Sequence, residues 1–367
     1  MSRLDELIAE LCPDGVNYYS IEELIKRKIV VMVTPSFKIK RNDYKNIGTI
    51  PIISQELEYI SGYCNRNDER IIKREYVCFG DHSEHIKYIN FAFVQGADGL
   101  KIMYTDKNKL LTRYFYHSIL NFYNRHNNYE RHFKYLGDTN IPVPPIEVQK
   151  EIVRMLDNFT KLTAELTAEL TARQKQYEFY RDTLLTFDVH GGGTSEVQWK
   201  TLGEIAKIKN GKTYKNICSG EIPVYGSGGI MTYIGEYCYN KPSVLVPRKG
   251  SLSNLFYVDT PFWNVDTIFY TEIDEQQVVP KYLFYLLKKE HIERLNTAGG
   301  VPSLTQTVLN NISLAIPSIT VQKRIVDVLD NFEKICNDLN IGLPAEIEAR
   351  QKQYEYYRDK LLTFKEK

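Results

Sequence analysis

The 367-residue chain lacks several features that would place it in a familiar class of protein. Its six cysteines form no CxxC pair, and its first residues, MSRLDELIAE, lack the apolar core of a signal peptide. We therefore expect reduced thiols and a cytoplasmic location. No stretch approaches the run of about eighteen apolar residues that a membrane span needs, so we expect no membrane association. The formal net charge is only +1, so a nucleic-acid site would have to be a local patch on a neutral body.

Signatures of catalysis and of cofactor binding are also missing. NGKT at 210–213 resembles the end of a phosphate loop, but Ala206 stands where that motif requires glycine. The PVPP segment at 142–145 lacks the flanking residues of an adenine methyltransferase loop, and we interpret it as the rigid start of a helix. Asp81, His82 and His85 are not followed by further ligands at a typical spacing. We predict no catalytic residue and no metal site.

What the sequence does contain is an internal repeat. RQKQYEFYRDTLLTF at 173–187 matches RQKQYEYYRDKLLTF at 350–364 in thirteen of fifteen positions. VQKEIVRMLDNF at 148–159 matches VQKRIVDVLDNF at 321–332 in nine of twelve. The segments between these motifs have diverged. The whole chain contains 43% hydrophobic and 25% charged residues, which is the composition of a globular protein. The chain is therefore a tandem duplication whose units keep nearly the same ends.

The repeated ends predict long helices. From Pro145 to Phe187, apolar or aromatic residues recur every three or four positions without an internal proline or glycine, and the glycine-rich segment 188–196 then ends the pattern. Such a helix is about 60 Å long. The second copy runs from Val321 to Phe364 but is interrupted by GLP at 342–344. Because a long helix with a narrow apolar stripe needs a partner, we expect the two copies to pair antiparallel. The residues expected in spacer packing or subunit docking are Leu166, Leu170, Tyr177, Tyr180, Tyr354 and Tyr357.

These patterns predict an α+β protein with two tandem α/β domains, a spacer of two long antiparallel paired helices and a pseudo-two-fold internal repeat. We expect the first domain, with an N-terminal helix, in residues 1–143 and a helical spacer in 144–190. The second domain is expected in 191–315 and the distal helical spacer in 316–367. Two divergent bodies on a shared rod suit a ligand that carries two different features a fixed distance apart. Double-stranded DNA with a split, asymmetric sequence is such a ligand.

The repeated motifs, with LDELIAELCPDGV at 4–16 and TAELTAEL at 163–170, resemble specificity subunits of type I restriction-modification systems over essentially the whole chain. The resemblance implies a non-catalytic subunit with two target-recognition domains, each reading half of a bipartite DNA site. It implies two modification subunits that methylate adenine, together with restriction subunits. S-adenosylmethionine, ATP and Mg²⁺ are then expected in those partners, and no cofactor in this chain.

The same resemblance implies that the four-residue TAEL repeats set the number of unread base pairs. A physical reason is available, because four helical residues turn the far end about 40° beyond a full turn. That angle is close to the twist of one base pair when a DNA turn takes about 10.5 pairs.

Basic and polar loops in the diverged bodies are the candidates for DNA contacts, since Arg and Lys suit guanine and Asn and Gln suit adenine. In the first half the candidates are Lys38, Lys40, Arg41, His82, Ser83, Lys87, Arg125 and Asn127. In the second half they are Lys212, Tyr214, Ser227, Arg248, Lys249, Ser251, Asn254 and Gln306.

Two other functions fit parts of the sequence. A duplicated coiled-coil adaptor that binds proteins would explain the helices, but it leaves the divergent basic loops without a purpose. A nuclease or methyltransferase acting alone would need a catalytic constellation that the sequence does not display.

Overall fold

The computed structural model describes residues 3–65, 70–96, 99–187, 197–296, 302–337 and 342–367. The chain forms two compact units. The first unit combines Met1–Leu166 with Ile347–Lys367, and the second is Thr167–Glu346. The unit boundaries fall inside helical segments, whereas the glycine-rich segment 188–196 lies outside the described residues.

The first unit contains three small sheets and several helices. In chain order its elements are α1 (Arg3–Leu11), β1 (Tyr18–Ser20), α2 (Ile21–Lys26), β2 (Val30–Val33), β3 (Ile50–Ile53), β4 (Gly62–Cys64), β5 (Tyr76–Gly80), β6 (Ile86–Ile89), β7 (Val94–Gln95), β8 (Leu100–Thr105), α3 (Thr112–Phe122), α4 (Phe133–Asp138), β9 (Asn140–Pro142) and α5 (Ile146–Leu184), which continues into the second unit. The sheets have the strand orders β2-β8-β5-β6, β4-β3-β7 and β1-β9.

From β1 onward, the second unit repeats this plan element by element. Its elements are β10 (Gln198–Thr201), α6 (Leu202–Ile205), β11 (Ala206–Asn210), β12 (Ser219–Gly226), β13 (Gly229–Ile234), β14 (Ser243–Pro247), β15 (Phe256–Val258), β16 (Trp263–Asn264), β17 (Ile268–Ile273), α7 (Pro280–Lys289), α8 (Gln306–Asn310), β18 (Ser313–Ile316) and α9 (Ile319–Asn337). The sheets β11-β17-β14-β15, β13-β12-β16 and β10-β18 are the counterparts of those in the first unit. Last in the chain is α10 (Leu343–Leu362), whose residues from Ile347 onward belong to the first unit.

The central strands of the two units are buried along their whole length. All five residues of β5, YVCFG, and all five of β14, SVLVP, are buried. Both strands are antiparallel to their neighbours, and the continuous burial shows that both of their faces are covered. The fold is α+β, as predicted, with α5 as a 39-residue spacer helix. None of the described helices is both long enough and apolar enough to cross a membrane.

A buried glutamine at the start of each long helix fixes that helix to its unit. The side chain of Gln149 accepts a hydrogen bond from Leu111 N (2.8 Å) and donates to the carbonyls of Lys109 (3.0 Å) and Pro144 (2.7 Å). Gln322 makes the same three contacts in the second unit, from Val279 N (2.8 Å) and to the carbonyls of Gln277 (3.0 Å) and Pro317 (2.8 Å). We call this arrangement the glutamine clamp.

Each unit is closed by an aromatic contact between the two repeated helical motifs. In the first unit the ring of Phe159 on α5 stacks on Tyr357 of α10, with centroids 5.2 Å apart. In the second unit Tyr180 on α5 stacks on Phe332 of α9, with centroids 5.4 Å apart. Phe159 and Phe332 are equivalent in the repeat, as are Tyr180 and Tyr357. The first unit therefore pairs the motif 148–159 of one repeat with the motif 350–364 of the other. The second unit pairs the motif 321–332 with the motif 173–187.

The first unit also joins residues from near both ends of the chain. Val16 N donates to the carbonyl of Lys365 (2.8 Å), and the hydroxyl of Tyr18 donates to the carbonyl of Phe364 (3.1 Å). Gly15 has a φ of +103°, and a Cβ at this position would lie 2.5 Å from the Lys365 carbonyl oxygen. Only glycine combines this backbone conformation with so close an approach.

Candidate nucleic-acid interface

In the first unit, three loops meet at the end of strand β5. Asp81 N donates to the carbonyl of Gly99 (2.7 Å), and the carbonyl of Asp81 accepts from His132 N (2.8 Å). His82 N donates to the side-chain oxygen of Gln55 (3.2 Å). The loops after β3 and β5 and the loop between α3 and α4, together with Gly99 just before β8, therefore form one edge, which we call the β5 edge.

The basic segment 34–43 is held beside this edge. Ile39 N donates to the carbonyl of Gln95 (3.0 Å), and Arg41 pairs with Glu56 at 3.3 Å. The side chains of Lys38 and Lys40, on either side of the buried Ile39, are exposed. Burying one apolar residue between two lysines fixes where the cationic groups project.

A buried carboxylate organises the loop at 124–132. Glu84 accepts hydrogen bonds from the Tyr123 hydroxyl (2.6 Å), His126 N (2.8 Å) and Asn127 N (2.8 Å). Burial acts to raise the pKa of the Glu84 carboxyl, but these hydrogen bonds outweigh it and lower the pKa below its ordinary value. The loop is thus tied down by its backbone, while the side chains of Arg125 and Asn127 remain exposed.

His82 and Ser83 have partly structural roles at the same edge. The ring of His82 donates from Nδ1 to the carbonyl of Glu130 (3.0 Å) and stacks on Tyr129, with centroids 5.3 Å apart. Ser83 donates its hydroxyl to the carbonyl of Gln55. Both residues are half-buried, and Tyr129, which the sequence analysis did not select, is 90% exposed. A fully projecting aromatic ring in a polar loop offers a surface for stacking or apolar contact.

Lys87 was predicted to contact DNA, but the structure does not place it on the surface. It is 5% exposed, and its ammonium donates to the carbonyls of Ser54 (3.0 Å) and Glu58. Burial lowers the pKa of this ammonium group. We assign Lys87 a positioning role, because its charge already serves the loop at 54–58 and does not reach solvent.

In the second unit, Thr267 gathers the corresponding loops. Its hydroxyl oxygen accepts from Ser227 N (3.2 Å), and its carbonyl accepts from Arg248 N (2.9 Å) and Lys249 N (3.2 Å). The amide of Asn254 donates to the carbonyl of Ser227 (3.0 Å). Four of the predicted contact residues therefore lie together at the end of β14, and we call this surface the β14 edge.

Of the other predicted residues in the second unit, Gln306 follows the chain that bonds to this edge, and Lys212 is held by the strand β16. Leu304 N donates to the carbonyl of Arg248 (2.9 Å), and the Gln306 amide lies 3.4 Å from the side-chain oxygen of Asn210. Lys212 N donates to the carbonyl of Asn264 (2.9 Å). Among the predicted residues, the exposed ones are Lys212, Lys249 and Ser251, and the half-buried ones are Tyr214, Ser227, Arg248, Asn254 and Gln306.

The two edges are equivalent in the fold. The hydrogen bond from His132 N to Asp81 has its counterpart in the bond from Leu304 N to Arg248. Strand β3 pairs in parallel with β7, with Ile53 opposite Gln95, as β12 pairs with β16, with Tyr225 opposite Asn264. By this register Gln55 is the counterpart of Ser227. The sequence analysis did not select Gln55. Its equivalence to Ser227 becomes visible only when the pairing of the strands is known.

The predicted spacer residues pack within the units. Tyr177 is 8% exposed in the core of the second unit, where Leu170 also packs. Tyr354 contributes to the core of the first unit, and Tyr180 and Tyr357 make the aromatic stacks that close the two units. Leu166 is half-buried. Tyr180 is still 38% exposed, and the most exposed aromatic residues of the two motifs are Phe179 (66%) and Tyr356 (62%), which occupy equivalent positions of the repeat.

Comparison with known proteins gives consistent matches along both halves. Residues 14–173 and 194–349 each match the type I restriction modification DNA specificity domain. The chain is similar to the specificity subunit of the type I restriction enzyme EcoR124I/EcoR124II of Escherichia coli, with 31% identity over 99% of this chain and 97% of that protein. It is also similar to a putative type I specificity subunit of Mycoplasma pneumoniae, with 33% identity over 60% of this chain and 92% of that protein.

Solved structures show the same fold. The S subunit of a type I restriction-modification system from M. genitalium matches with a TM-score of 0.62 and 16% identity, over 95% of this chain and 96% of that chain. A chain from a study of complex assembly and conformational transition of the type I system matches with a TM-score of 0.60 and 14% identity, over 95% and 98%. At these identities the matches establish the architecture of two units and a helical spacer.

Proposed function

The chain belongs to the family of type I restriction-modification DNA specificity subunits, and we propose that its two units each read one half of a split DNA sequence. DNA sequence recognition is the function of the family. The observation that supports a split site is the pair of equivalent edges with different side chains. The β5 edge presents Arg125 and Asn127, whereas the β14 edge presents Arg248 and Lys249.

Each edge combines two kinds of group that DNA recognition needs. Exposed lysines and arginines neutralise phosphates and fix the position of the protein on the duplex. Asn, Gln and Arg side chains on loops with a fixed backbone can form paired hydrogen bonds to base edges in the major groove. Glu84 in the first unit and Thr267 in the second hold the loop backbones, so the reading side chains start from defined positions.

As a specificity subunit, the chain acts with modification and restriction subunits. We propose that two modification subunits dock, one for each repeat of the helical motif. Phe179 and Tyr356 support this arrangement, because equivalent exposed aromatic side chains occur once in each repeat and aromatic residues are enriched at protein interfaces. S-adenosylmethionine, ATP and Mg²⁺ then bind to the partners, and methylation and cleavage take place there.

A genome-wide map of N6-methyladenine tests this function. The cells to compare carry the modification partner either with or without this chain. We expect a split motif of two dissimilar half-sites that disappears when the chain is deleted. Unchanged methylation, with the partner shown to be active, would contradict DNA recognition and favour the adaptor alternative.

Deleting residues 163–166 tests whether the length of α5 sets the number of unread base pairs. Removing four helical residues shortens α5 by about 6 Å and rotates its far end by about 40° relative to a full turn. We expect methylation to move to sites with a different number of unread base pairs while the letters of both half-sites stay the same. A change in those letters would show that the deletion disturbs the units themselves, and the idea of a helical ruler would fail.

A further inference from the structure

Glu84, His126 and His132 form a cluster behind the loop at 124–132 that the DNA-reading role does not explain. One potential ligand atom from each residue lies within 4.8 Å of the other two. Glu84 is 3% exposed and His132 is fully buried, whereas His126 is exposed. The sequence analysis predicted no metal site because it considered Asp81, His82 and His85, and none of these belongs to the cluster.

The hydrogen bonds of His132 determine which of its ring nitrogens is free. Nε2 lies 2.9 Å from the carbonyl oxygen of Asn128, which can only accept, so Nε2 carries the hydrogen. In a neutral imidazole the other nitrogen, Nδ1, then holds a lone pair. Nδ1 is buried without a hydrogen-bond partner, and it lies 3.3 Å from Oε1 of Glu84. A lone pair facing a carboxylate oxygen in the protein interior is unfavourable unless a cation lies between them.

A metal ion uses more of this arrangement than a proton does. A hydrogen on Nδ1 would satisfy His132 and Glu84 alone. The ring nitrogens of His126 would then take no part, and this ring would only pack edge-on against Tyr135, with centroids 4.1 Å apart. A metal ion uses all three groups, and Oε2 of Glu84 accepts only one hydrogen bond, from Asn127 N, which leaves it a second lone pair. The bond from His132 Nε2 to a backbone carbonyl is the support that metal-binding histidines usually have.

We propose that Glu84, His126 and His132 bind a divalent first-row transition metal ion, with Zn²⁺ the best match to two imidazoles and one carboxylate. This ion would fasten the loop at 124–132 to the turn after β5. Ligand atoms about 2.0–2.2 Å from a tetrahedral ion are about 3.4 Å apart, so a pair separated by the full 4.8 Å would have to close by roughly 1.4 Å. The exposed ring of His126 can make this movement, and its exposed side gives the ion a route in and a fourth position for water.

The site is specific to the first unit. In the second unit Leu304 makes the backbone bond that His132 makes, and Thr305 precedes the helix as His132 does, so neither equivalent position carries a histidine. Within the described residues, the group of Glu84, His126 and His132 is the cluster that meets the distance requirement for a metal site. The metal proposal stands independently of the proposed DNA contacts, because it concerns binding of an ion to the free chain.

Metal titration of the full, untagged chain tests the proposal, after chelator treatment and with its modification partner added if solubility requires it. The probes are Zn²⁺, measured by thermal stability and bound metal content, and Co²⁺, measured by its visible absorption. His126→Ala is the test variant, because His126 is exposed and its replacement should not prevent folding. His85→Ala is the matched control, since His85 lies in the same edge but outside the cluster.

We expect the native chain and His85→Ala to bind one equivalent of metal and to unfold at higher temperature when loaded. His126→Ala should bind at least about tenfold more weakly. Saturable binding that is equal in His126→Ala and the native chain would overturn the proposal, as would near-ultraviolet absorption from Co²⁺ bound to cysteine thiolates. Absence of stoichiometric binding to the native chain would also overturn it and leave a proton on His132 as the partner of Glu84.

Discussion

His117 in the first unit and Tyr285 in the second occupy the same place on the equivalent helices α3 and α7, but they form different buried contacts. His117 lies 3.2 Å from Asp157 through Nε2 and 3.0 Å from the Tyr354 hydroxyl through Nδ1. Because Asp157 accepts from Nε2, Nδ1 is free to accept from Tyr354. The histidine thus connects the long helix α5 with the C-terminal helix α10.

Tyr285 cannot reproduce this bridge. Its single hydroxyl hydrogen is shared between the carboxylates of Asp330 (2.5 Å) and Glu333 (2.9 Å). Tyr177, the equivalent of Tyr354, is left with a buried hydroxyl that has no hydrogen-bond partner. The duplication therefore kept the framework and the glutamine clamp, while the buried contacts of His117 and Tyr285 diverged between the two units.

The glutamine clamp gives the largest expected effect on stability and tests how alike the two frameworks are. Gln149→Leu or Gln322→Leu leaves one N–H and two carbonyls without partners, which costs about 3 kcal/mol or more. We expect nearly equal reductions in the free energy of unfolding, measured with denaturant. Gln174→Leu, at an exposed position of α5, is the control and should change little. Very different reductions for the two clamp variants would contradict the equivalence of the units.

The loop residues test how the two units differ in function. Arg248→Ala combined with Lys249→Ala should weaken recognition of one half-site only, by about 1–3 kcal/mol for each base that is no longer read. Arg125→Ala should act on the other half-site. Binding to DNA in which either half-site is altered distinguishes these effects, with Lys175→Ala as an exposed control on α5. Equal weakening at both halves would mean that these side chains anchor phosphates or support folding.

The two equivalent tyrosines should respond differently to the same small change. Tyr354→Phe removes the hydrogen bond to His117 and should destabilise the chain by about 1 kcal/mol. Tyr177→Phe removes a hydroxyl that has no partner, so it should be neutral or slightly stabilising. Thermal unfolding of the two variants measures the difference. Equal destabilisation by both would show that the Tyr177 hydroxyl is satisfied in solution.

The smallest expected effect is a pH dependence confined to the first unit. Burial lowers the pKa of His117. The hydrogen bond that His117 donates to Asp157 opposes this effect, whereas the charges of Arg113 and Arg358 add to it. In the unfolded chain His117 binds a proton near pH 6.5, whereas in the folded chain it does not. The free energy of unfolding therefore decreases as the pH falls below about 6.5. Burial acts to raise the pKa of Asp157, but its bonds to His117 and Arg113 lower it overall, so this carboxylate contributes only at more acidic pH.

Tyr285 does not change charge in that range, because its pKa is raised by burial and by the neighbouring carboxylates. His117→Gln should therefore flatten the stability profile between pH 7 and pH 5 relative to the native chain. Tyr285→Phe serves as the comparison in the second unit and should leave the shape of the profile unchanged. A profile that keeps its slope in His117→Gln would assign the pH dependence to other groups.

Local patterns in the sequence were sufficient for the helices and for the location of the loops. The apolar spacing from Pro145 onward predicted α5, which runs from Ile146 to Leu184, and the GLP at 342–344 marked the start of α10. Of the loops selected for basic and polar residues, those around His82 and Arg125 lie together at the β5 edge, and those around Ser227 and Arg248 lie together at the β14 edge. DNA contact by individual residues in them stays a prediction.

What the sequence determined by itself is the duplication, the α+β class and the family, since these follow from repeated motifs and from the spacing of apolar residues along the chain. Only the tertiary structure decided which residues meet across long separations. It buried Lys87 against two carbonyls, brought Glu84 to His132, and placed Thr267 at the centre of the β14 edge. It also closed the first unit with α10 from the far end of the chain. Such contacts depend on strand register and side-chain packing, which no local pattern of residues encodes.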